Sequence, residues 1–419
     1  MFAENQYFNR NYLKTQWITL LLLILISSGL ISCKTDTAPT KSVKPQSSTQ
    51  TAAIPPSSPP LDPSQDSKDK INPKHLKAVS WSTLPDWQQD NPQLAWKAFL
   101  QSCQSLAQRS LWRTVCAQAS AIKTTDEYAI RLFLEKHFTP YQVMNGDGTT
   151  TGLITGYYEP LLKGSRQYSP RFRYPLYSAP DDLLTVELAE MLPDTDQKSL
   201  RGRLEGKKIL PYYTRAEIEN NRDLLKGKEL IWVEDEVELF FLQIQGSGRI
   251  ILENGETVKI GYADNNGHPY RSIGKILIEQ GELPAWQVSM QAIKQWGQQN
   301  PDKLKALLHQ NARYIFFREL PANLAGPIGA LGVPLTAGRS LAIDPKNIPL
   351  GAPIYLATTW PNTAKPLNRL MIAQDTGNAI KGNIRADFFW GHSPEAKTQA
   401  GKMKQKARMW VLLPKQSQK

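Results

Sequence analysis

Cysteine and histidine are scarce in this chain of 419 residues, which has three Cys and five His. Three cysteines cannot form a disulfide scaffold, and the sequence has no HExxH or CxxC pattern, so the common zinc signatures are excluded and we expect no metal. The Gly246-Ser247-Gly248 pattern lacks the third glycine and the following helix of a dinucleotide site, and it indicates a tight turn between strands. We therefore expect no cofactor.

The N-terminal apolar run, Trp17 to Ile26, is too short to span a membrane comfortably. Arg10 and Lys14 precede it and small residues follow it, which is typical of a secretory signal peptide. Leu30-Ile31-Ser32-Cys33 resembles the bacterial lipobox, in which cleavage leaves a lipidated Cys at the new N-terminus. We predict a signal peptide over residues 1–32. The alternatives are an ordinary N-terminal anchor and a signal without lipidation.

Cys33 would then carry the lipid and attach the protein to a membrane. Lys34 follows it in place of the Asp associated with inner-membrane retention, which favours an outer-membrane lipoprotein facing the periplasm. The next residues, up to 76, are rich in Ser, Thr, Pro, Gln and Lys, so we predict that residues 33–76 form a disordered tether. In that oxidising compartment, we predict a disulfide between Cys103 and Cys116 that joins neighbouring helices; the alternative is two buried thiols.

Acidic residues are fewer than basic ones, 38 against 50, which gives a formal charge of +12. This surplus favours an anionic partner: nucleic acid, phospholipid headgroups or a carboxylate-bearing glycan. Charge alone does not choose among them. The 11 Trp, 15 Tyr and 12 Phe exclude disorder of the whole chain.

The apolar patterns predict helices first and short strands afterwards. Helices are predicted at 93–107, 110–121 and 126–137, the last capped by Thr125, and later at 272–280, 287–298 and 301–309. Strands are predicted at 152–160, 229–233, 237–245, 248–263 with a hairpin at Asn254-Gly255, 313–317, 339–344, 353–359, 369–375 and 407–414. Short strands with frequent turns favour closed barrels over sandwiches or parallel α/β units.

Residues 371–391 hold the densest group of candidate catalytic side chains. Asp375 ends an apolar strand, and Asp387 lies next to Phe388, Phe389 and Trp390. Burial raises the pKa of a carboxyl, as a general acid requires, so Asp387 is the best acid candidate, although a cation at Arg385 would oppose that rise. Asp344 also lies at a predicted strand end. Each of these acids has a structural alternative as a turn or cap residue.

Two other motifs suggest different chemistry. Asp375-Thr376-Gly377 resembles the turn of an aspartic protease, but a second such turn is absent, so a symmetric dimer would be needed. Ser272-Ile273-Gly274-Lys275 matches the serine pattern of penicillin-binding proteins without their KTG or SDN partners, and we interpret Ser272 as a helix cap.

Several motifs together resemble the MltA family of lytic murein transglycosylases. The motifs are GYYEP at 156–160, LQIQGSGR at 242–249, YRSIG at 270–274, PLT at 334–336, RSLAID at 339–344, and AQDTG through AIKG to Asp387 at 373–387. The last two groups resemble that family's three-aspartate domain, whose acidic positions correspond to Asp344, Asp375 and Asp387. The similarity covers about residues 150–414.

The resemblance implies a mainly β fold with N-terminal helices, in which a double-psi β-barrel domain carries an inserted β-barrel-like domain. We place the barrel at 77–160 plus 319–419 and the insert at 161–318, with a glycan groove between them. The implied reaction cleaves the β-1,4 bond between N-acetylmuramic acid and N-acetylglucosamine and leaves 1,6-anhydromuramoyl ends. Asp387 corresponds to the single acid and then base, while Asp375 would stabilise positive charge and Asp344 would support the barrel or its hydrogen bonds.

Further residues are candidate contacts for peptidoglycan glycan strands, since aromatic faces stack on sugars and polar groups bind their substituents. The candidates are Tyr157, Tyr158, Glu159, Gln245 and Ser247, with Lys381 and Arg385 meeting lactyl or peptide carboxylates. We expect partners in cell-wall synthesis and no nucleic acid. The alternatives are a hydrolytic glycosidase of the same barrel type, using Asp375 or Glu159 to position water, and a non-catalytic peptidoglycan-binding lipoprotein.

Overall fold

The computed structural model describes residues 73–123, 126–188, 199–377 and 379–415. Its α-helices are α1 (Gln93–Leu106), α2 (Ser110–Ser120), α3 (Glu127–His137), α4 (Arg215–Asn220), α5 (Glu236–Gln245), α6 (Ile273–Glu279), α7 (Met290–Gln299), α8 (Pro301–His309) and α9 (Pro394–Lys402). Its strands are β1 (Leu76–Ala78), β2 (Phe138–Val143), β3 (Gly152–Tyr157), β4 (Leu161–Ser165), β5 (Tyr174–Tyr177), β6 (Leu184–Glu187), β7 (Ser199–Glu205), β8 (Lys208–Pro211), β9 (Glu229–Val233), β10 (Ser247–Leu252), β11 (Thr257–Asn265), β12 (Ile315–Leu320), β13 (Ser340–Ile343), β14 (Pro353–Thr359), β15 (Pro366–Thr376), β16 (Arg385–Phe389) and β17 (Lys404–Pro414). Within these ranges no helix is long and apolar enough to cross a bilayer.

Six strands close a barrel that combines β3 with the C-terminal part of the chain. Their order is β3, β16, β13, β15, β14 and β17, and β17 pairs again with β3. The pairings of β3 with β16 and of β13 with β15 are parallel, and the other four are antiparallel. Closure gives every strand a partner on both sides, so no edge is left open.

The barrel interior is filled by alternate residues of these strands, because side chains of a strand point to opposite faces in turn. Ile154, Leu341, Ile343 and Phe388 are all fully buried in this core. The N-terminal helices pack outside it, with α1 against β15 and α2 against β17. A disulfide between Cys103 and Cys116 joins α1 to α2.

The chain segment between β3 and the other barrel strands forms a second sheet. Its order is β12, β11, β10, β4, β9 and β5, and a bridge from Ser178 to Phe317 brings its two ends together. Helices α6, α7 and α8 form a separate apolar cluster beside it, and β6, β7 and β8 form a small antiparallel sheet. The prediction of a mainly β chain with N-terminal helices, a barrel and a second, inserted β unit is confirmed.

The predicted strand at 237–245 is wrong, because these residues form the helix α5. Asp235 caps its first turn by accepting from the N–H groups of Val237 and Glu238, and Gly246 ends it with a φ of 77°. The helix is buried on two sides, with Leu239 against the second sheet and Phe240 in the cluster of α6–α8. Apolar residues on both sides of a helix remove the one-sided periodicity that identifies it.

Three local predictions have different outcomes. Gly246-Ser247-Gly248 is not a turn between strands, since Gly246 ends α5 and Ser247 begins β10. The hairpin at Asn254-Gly255 is confirmed, with Gly255 at a φ of 84° between paired β10 and β11. Ser272 caps α6, as predicted, by accepting from the N–H of Lys275. Thr125 lies outside the described residues.

Candidate active site

A row of side chains crosses four neighbouring barrel strands on the face opposite the core. Thr155 of β3 is paired with Asp387 of β16, Asp387 with Ala342 of β13, and Ala342 with Asp375 of β15. Directly opposed residues of paired strands share a face. The two carboxylates therefore lie on either side of Ala342, whose single methyl group leaves space between them.

Asp387 has the environment of a general acid. Thr155 Oγ1 donates to its Oδ1 at 2.7 Å. Part of the side chain meets solvent, but close packing around it buries the carboxyl and raises its pKa to about 6, while the Thr155 hydrogen bond and the charge of Arg385 oppose this rise. The carboxyl is thus partly protonated near neutral pH. Phe388 is not the source of the desolvation, because its ring is in the barrel core on the opposite face.

Asp375 is held by donors at both of its oxygens. The Tyr157 hydroxyl donates to Oδ2 and the N–H of Ala330 donates to Oδ1, each at 2.9 Å. Burial raises the pKa of Asp375, and these hydrogen bonds together with one from the Thr376 N–H oppose that rise. Burial beside Asp375 also raises the pKa of Tyr157, so this phenol stays protonated and keeps donating. The hydrogen bonds fix the orientation of the carboxylate and offset part of the effect of its burial.

Both acids face a cavity of about 620 Å³ between the barrel and the second sheet. Tyr157, Ala342, Asp375 and Asp387 line one wall. The other wall includes Gln245, Ser247, Tyr262, Tyr270 and Arg313. The cavity combines aromatic rings with amide, hydroxyl and guanidinium groups, which is the mixture that a polar, ring-containing ligand requires.

Two of the predicted sugar contacts lie elsewhere. Tyr158 and Glu159 line a separate cavity of about 210 Å³ together with His392 and Lys397. Burial, and less strongly the charge of Glu238, raises the pKa of Tyr158 to about 12.

Glu159 is 2% exposed and accepts an ion-paired hydrogen bond from Arg249 Nε at 2.9 Å. The Tyr158 N–H donates to Gln245 Oε1 at 3.3 Å, and the Glu159 N–H donates to the carbonyl of Gly391 at 2.8 Å. These contacts tie the second sheet to the barrel, whereas Gln245 and Ser247 do reach the main cavity.

The remaining predicted site residues do not line this cavity. Asp344 is 4% exposed, and its Oδ2 accepts from the Gly382 N–H at 2.9 Å and from Asn347 Nδ2 at 3.2 Å, so it joins two loops. Lys381 is exposed. Arg385 Nη2 donates to Thr155 Oγ1 at 2.9 Å, behind Asp387. Among the described residues, no group of three or more His, Cys, Asp and Glu could hold a metal ion.

Sequence reasoning missed Thr155, Ala330 and the wall formed by Tyr262 and Arg313. A signal for Thr155 was present, because alternation along β3 places it on the same face as Tyr157. Ala330 acts through its backbone. Tyr262 comes from β11, and Arg313 comes from the segment that precedes β12. For these residues the sequence carries no equivalent signal.

Comparison with known proteins gives concordant results. The model of the family described as the MltA specific insert domain matches residues 153–318, and the 3D domain model matches residues 339–413. Membrane-bound lytic murein transglycosylase A of Escherichia coli K12 is 33% identical over 280 residues, which are 65% of this chain and 68% of that protein. Its Vibrio cholerae counterpart is 32% identical with the same coverage.

Solved structures agree with these matches. The structure of MltA from Neisseria gonorrhoeae, in its monoclinic form, has 42% identity and a TM-score of 0.74, covering 82% of this chain and 93% of that one. The structure of E. coli MltA with bound chitohexaose has 27% identity and a TM-score of 0.61, covering 82% and 95%. The chain therefore belongs to the family of membrane-bound lytic murein transglycosylase A, a family of peptidoglycan-cleaving enzymes.

Proposed function

We propose that this lytic murein transglycosylase cleaves the β-1,4 bond between N-acetylmuramic acid and N-acetylglucosamine without water and leaves a 1,6-anhydromuramoyl end. The observation that carries this proposal is the Asp387 carboxyl, which lies in the cavity with its pKa raised by burial to about 6. Such a carboxyl is about half protonated at pH 6 and about one-tenth protonated at pH 7. It can therefore donate a proton and still exist as a base after donating it.

Asp387 alone handles the proton in this reaction. It protonates the glycosidic oxygen as the bond from that oxygen to C1 of the muramic acid breaks. The substrate's 6-hydroxyl then attacks C1, and its proton passes to the Asp387 carboxylate, which restores the acid. Because the nucleophile is already part of the substrate, proximity replaces the second carboxylate that a glycosidase needs to activate water.

Asp375 is proposed to stabilise the positive charge that develops on the sugar ring. Its two oxygens accept hydrogen bonds from Tyr157 and Ala330, which fix its orientation and favour the ionised form. A preoriented charge stabilises a transition state without reorganisation. Both oxygens of Asp375 already accept hydrogen bonds from the protein, which leaves the carboxylate less available to take a proton from water and disfavours the hydrolase alternative.

The cavity is proposed to bind the glycan strand. Tyr157, Tyr262 and Tyr270 offer ring faces, and Gln245 and Ser247 offer groups that match N-acetyl and hydroxyl substituents. A related structure, E. coli MltA, is described with bound chitohexaose, a hexasaccharide, which supports an oligosaccharide as ligand. We further propose the domain division stated above, with the barrel at 77–160 plus 319–419 and the insert at 161–318.

Digestion of purified peptidoglycan sacculi tests the proposed reaction. The full chain and Asp387→Asn are incubated with sacculi, and the released muropeptides are weighed by mass spectrometry. Products lighter by one water than reducing muropeptides, absent with Asp387→Asn, are the expected result. Reducing ends would instead identify a hydrolase, and binding without release across a range of pH would identify a non-catalytic peptidoglycan-binding protein.

The cellular location is a second part of the proposal. The names of the relatives include the term membrane-bound. The signal peptide at 1–32, the lipobox and Lys34 support a lipoprotein anchored through Cys33 in the outer membrane and facing the periplasm, where partners in cell-wall synthesis would meet it. Labelling with a radioactive fatty acid should mark the wild-type chain and leave Cys33→Ser unlabelled. Membrane fractionation then identifies which membrane holds it.

A further inference from the structure

Thr155 connects Arg385 to the proposed acid through two hydrogen bonds. Arg385 Nη2 donates to Thr155 Oγ1 at 2.9 Å, and Thr155 Oγ1 donates to Asp387 Oδ1 at 2.7 Å. Arg385 also donates to the carbonyl of Ala386, its chain neighbour, through Nη1, so its guanidinium is held at both ends. The three side chains come from two adjacent strands, β3 and β16, paired in parallel.

The direction of these bonds is fixed by what each group can do. A guanidinium has no acceptor, so the Thr155 oxygen must accept from Arg385. A hydroxyl has one hydrogen, and here that hydrogen is directed to Asp387 Oδ1. Oδ1 therefore accepts a hydrogen bond whether Asp387 is ionised or neutral.

We propose that Thr155, oriented by Arg385, is a positioning residue that confines the transferable proton of Asp387 to Oδ2. This inference rests on the proposed role of Asp387. When Asp387 is neutral, its carbonyl oxygen is a better hydrogen-bond acceptor than its hydroxyl oxygen. The Thr155 hydrogen bond to Oδ1 therefore favours the form in which Oδ1 is the carbonyl oxygen and the proton is on Oδ2. The proton leaves from Oδ2 to the glycosidic oxygen, and the proton of the 6-hydroxyl returns to the same atom.

Other charged and titratable groups also face Asp387. They are Arg385 on its own strand, Asp375 on β15, Tyr157 on β3, Lys404 of β17, which is paired with Thr155, and Arg313 and Arg318 on the opposite wall of the cavity. Arg385 lowers the pKa of Asp387 and Asp375 raises it. The Thr155 hydroxyl lowers it, because it stabilises the ionised form.

Removing the hydroxyl should therefore raise the pKa of Asp387 and move the loss of activity to higher pH. The substitution Thr155→Val keeps the shape of the side chain. We expect the alkaline limb of kcat to move up by about one pH unit, the equivalent of one hydrogen bond to a charged group. The plateau at low pH should fall about tenfold, because a weaker acid without a fixed proton position donates less well.

The experiment measures kcat and KM against pH for the full chain in detergent, with soluble glycan strands as substrate. Thr155→Ser keeps the hydroxyl, so its alkaline limb and its low-pH plateau of kcat should equal those of the wild type. KM should be the same in all the Thr155 variants. Thr358→Val is the matched control, since it removes a hydroxyl that bonds to the Lys406 carbonyl at 2.8 Å elsewhere in the barrel. The alkaline limb of Thr358→Val should lie at the same pH as that of the wild type.

Arg385→Gln provides a second variant if Thr155→Val does not fold. By itself it should also move the alkaline limb up, because it removes a charge that lowers the pKa of Asp387. If Thr155→Val does fold, adding it to Arg385→Gln should move the limb by less than Thr155→Val does alone, because the two residues act through one path. A limb and plateau of Thr155→Val equal to the wild type, with Asp387→Asn inactive, would overturn the inference. Activity of Asp387→Asn in the same assay would instead reject the proposed function.

Discussion

Replacing Asp375 by Asn tests how the two acids of the row interact. The substitution removes a negative charge that raises the pKa of Asp387 and keeps the size of the side chain. It should therefore lower the pKa of Asp387, so that the acid loses its proton at lower pH. The alkaline limb of the kcat profile should move down.

The size of this shift follows from the strand geometry. Asp375 and Asp387 lie on β15 and β16, separated by β13, so two strand spacings set their backbones about 10 Å apart. At an effective dielectric constant of about 20, two unit charges at about 10 Å interact by about 1.7 kcal/mol, or about 1.2 pKa units. Solvent in the cavity screens part of this interaction, so we expect the pKa of Asp387 to fall by about 0.5 to 1 unit in Asp375→Asn.

The magnitude of kcat gives the second readout of Asp375→Asn. If Asp375 stabilises charge on the sugar, kcat at the plateau should fall about 100-fold or more, while KM changes little. Tyr157→Phe is the matched control, because it removes one donor to Asp375 and keeps its charge. Tyr157→Phe should lower kcat by less than Asp375→Asn does. Its alkaline limb should stay within about a few tenths of a pH unit of the wild-type limb.

Two results for Asp375→Asn would contradict these expectations. An alkaline limb that stays in place or moves up in Asp375→Asn would mean that the two carboxyls do not interact through charge. A limb that moves down with an unchanged kcat would keep the interaction and remove Asp375 from transition-state stabilisation.

Two further predictions concern the spacing of the row and the loop behind it. Ala342→Leu fills the space between the two carboxylates and should reduce activity on glycan strands at least tenfold. Thermal unfolding followed by circular dichroism should show that the free energy of unfolding falls by less than about 2 kcal/mol. Full activity of this variant would contradict the proposed row. Asp344→Asn places an amide donor against the donors of Gly382 and Asn347 and should lower the unfolding free energy by about 1–3 kcal/mol in urea titrations. The alkaline limb of this variant should stay in place, and a shift would give Asp344 a role in the site.

The register of the barrel strands decides which acids share the cavity. Between Leu341 and Ala342 the pairing of β13 with β15 shifts by one residue, so that Ala342 lies opposite Asp375 instead of Gln374. Gln374 is fully buried and donates to the carbonyl of Ala98 in α1 at 3.0 Å. A bulge of this kind changes which face a side chain occupies. No local sequence pattern predicts this bulge.

Burial between neighbouring elements also decided features that the sequence had suggested differently. The sequence analysis predicted a strand over Val237–Gln245, but contacts with both the second sheet and the α6–α8 cluster stabilise a helix. Glu159 looked like a candidate sugar contact, and its ion pair with Arg249 makes it part of the junction between the sheet and the barrel. In both cases distant residues supplied the partner.

The sequence by itself determined the family, the mainly β class, the helices at its start, and the two acids that face the cavity. These conclusions rest on local patterns and on several motifs read together, which need no knowledge of distance. Only the tertiary structure decided that Thr155 and Arg385 lie behind Asp387, that Tyr157 and Ala330 hold Asp375, and that Asp344 joins two loops. The physical reason is that hydrogen bonds and burial act between residues far apart in the chain, such as Thr155 and Asp387, which are 232 positions apart and are brought together by strand pairing.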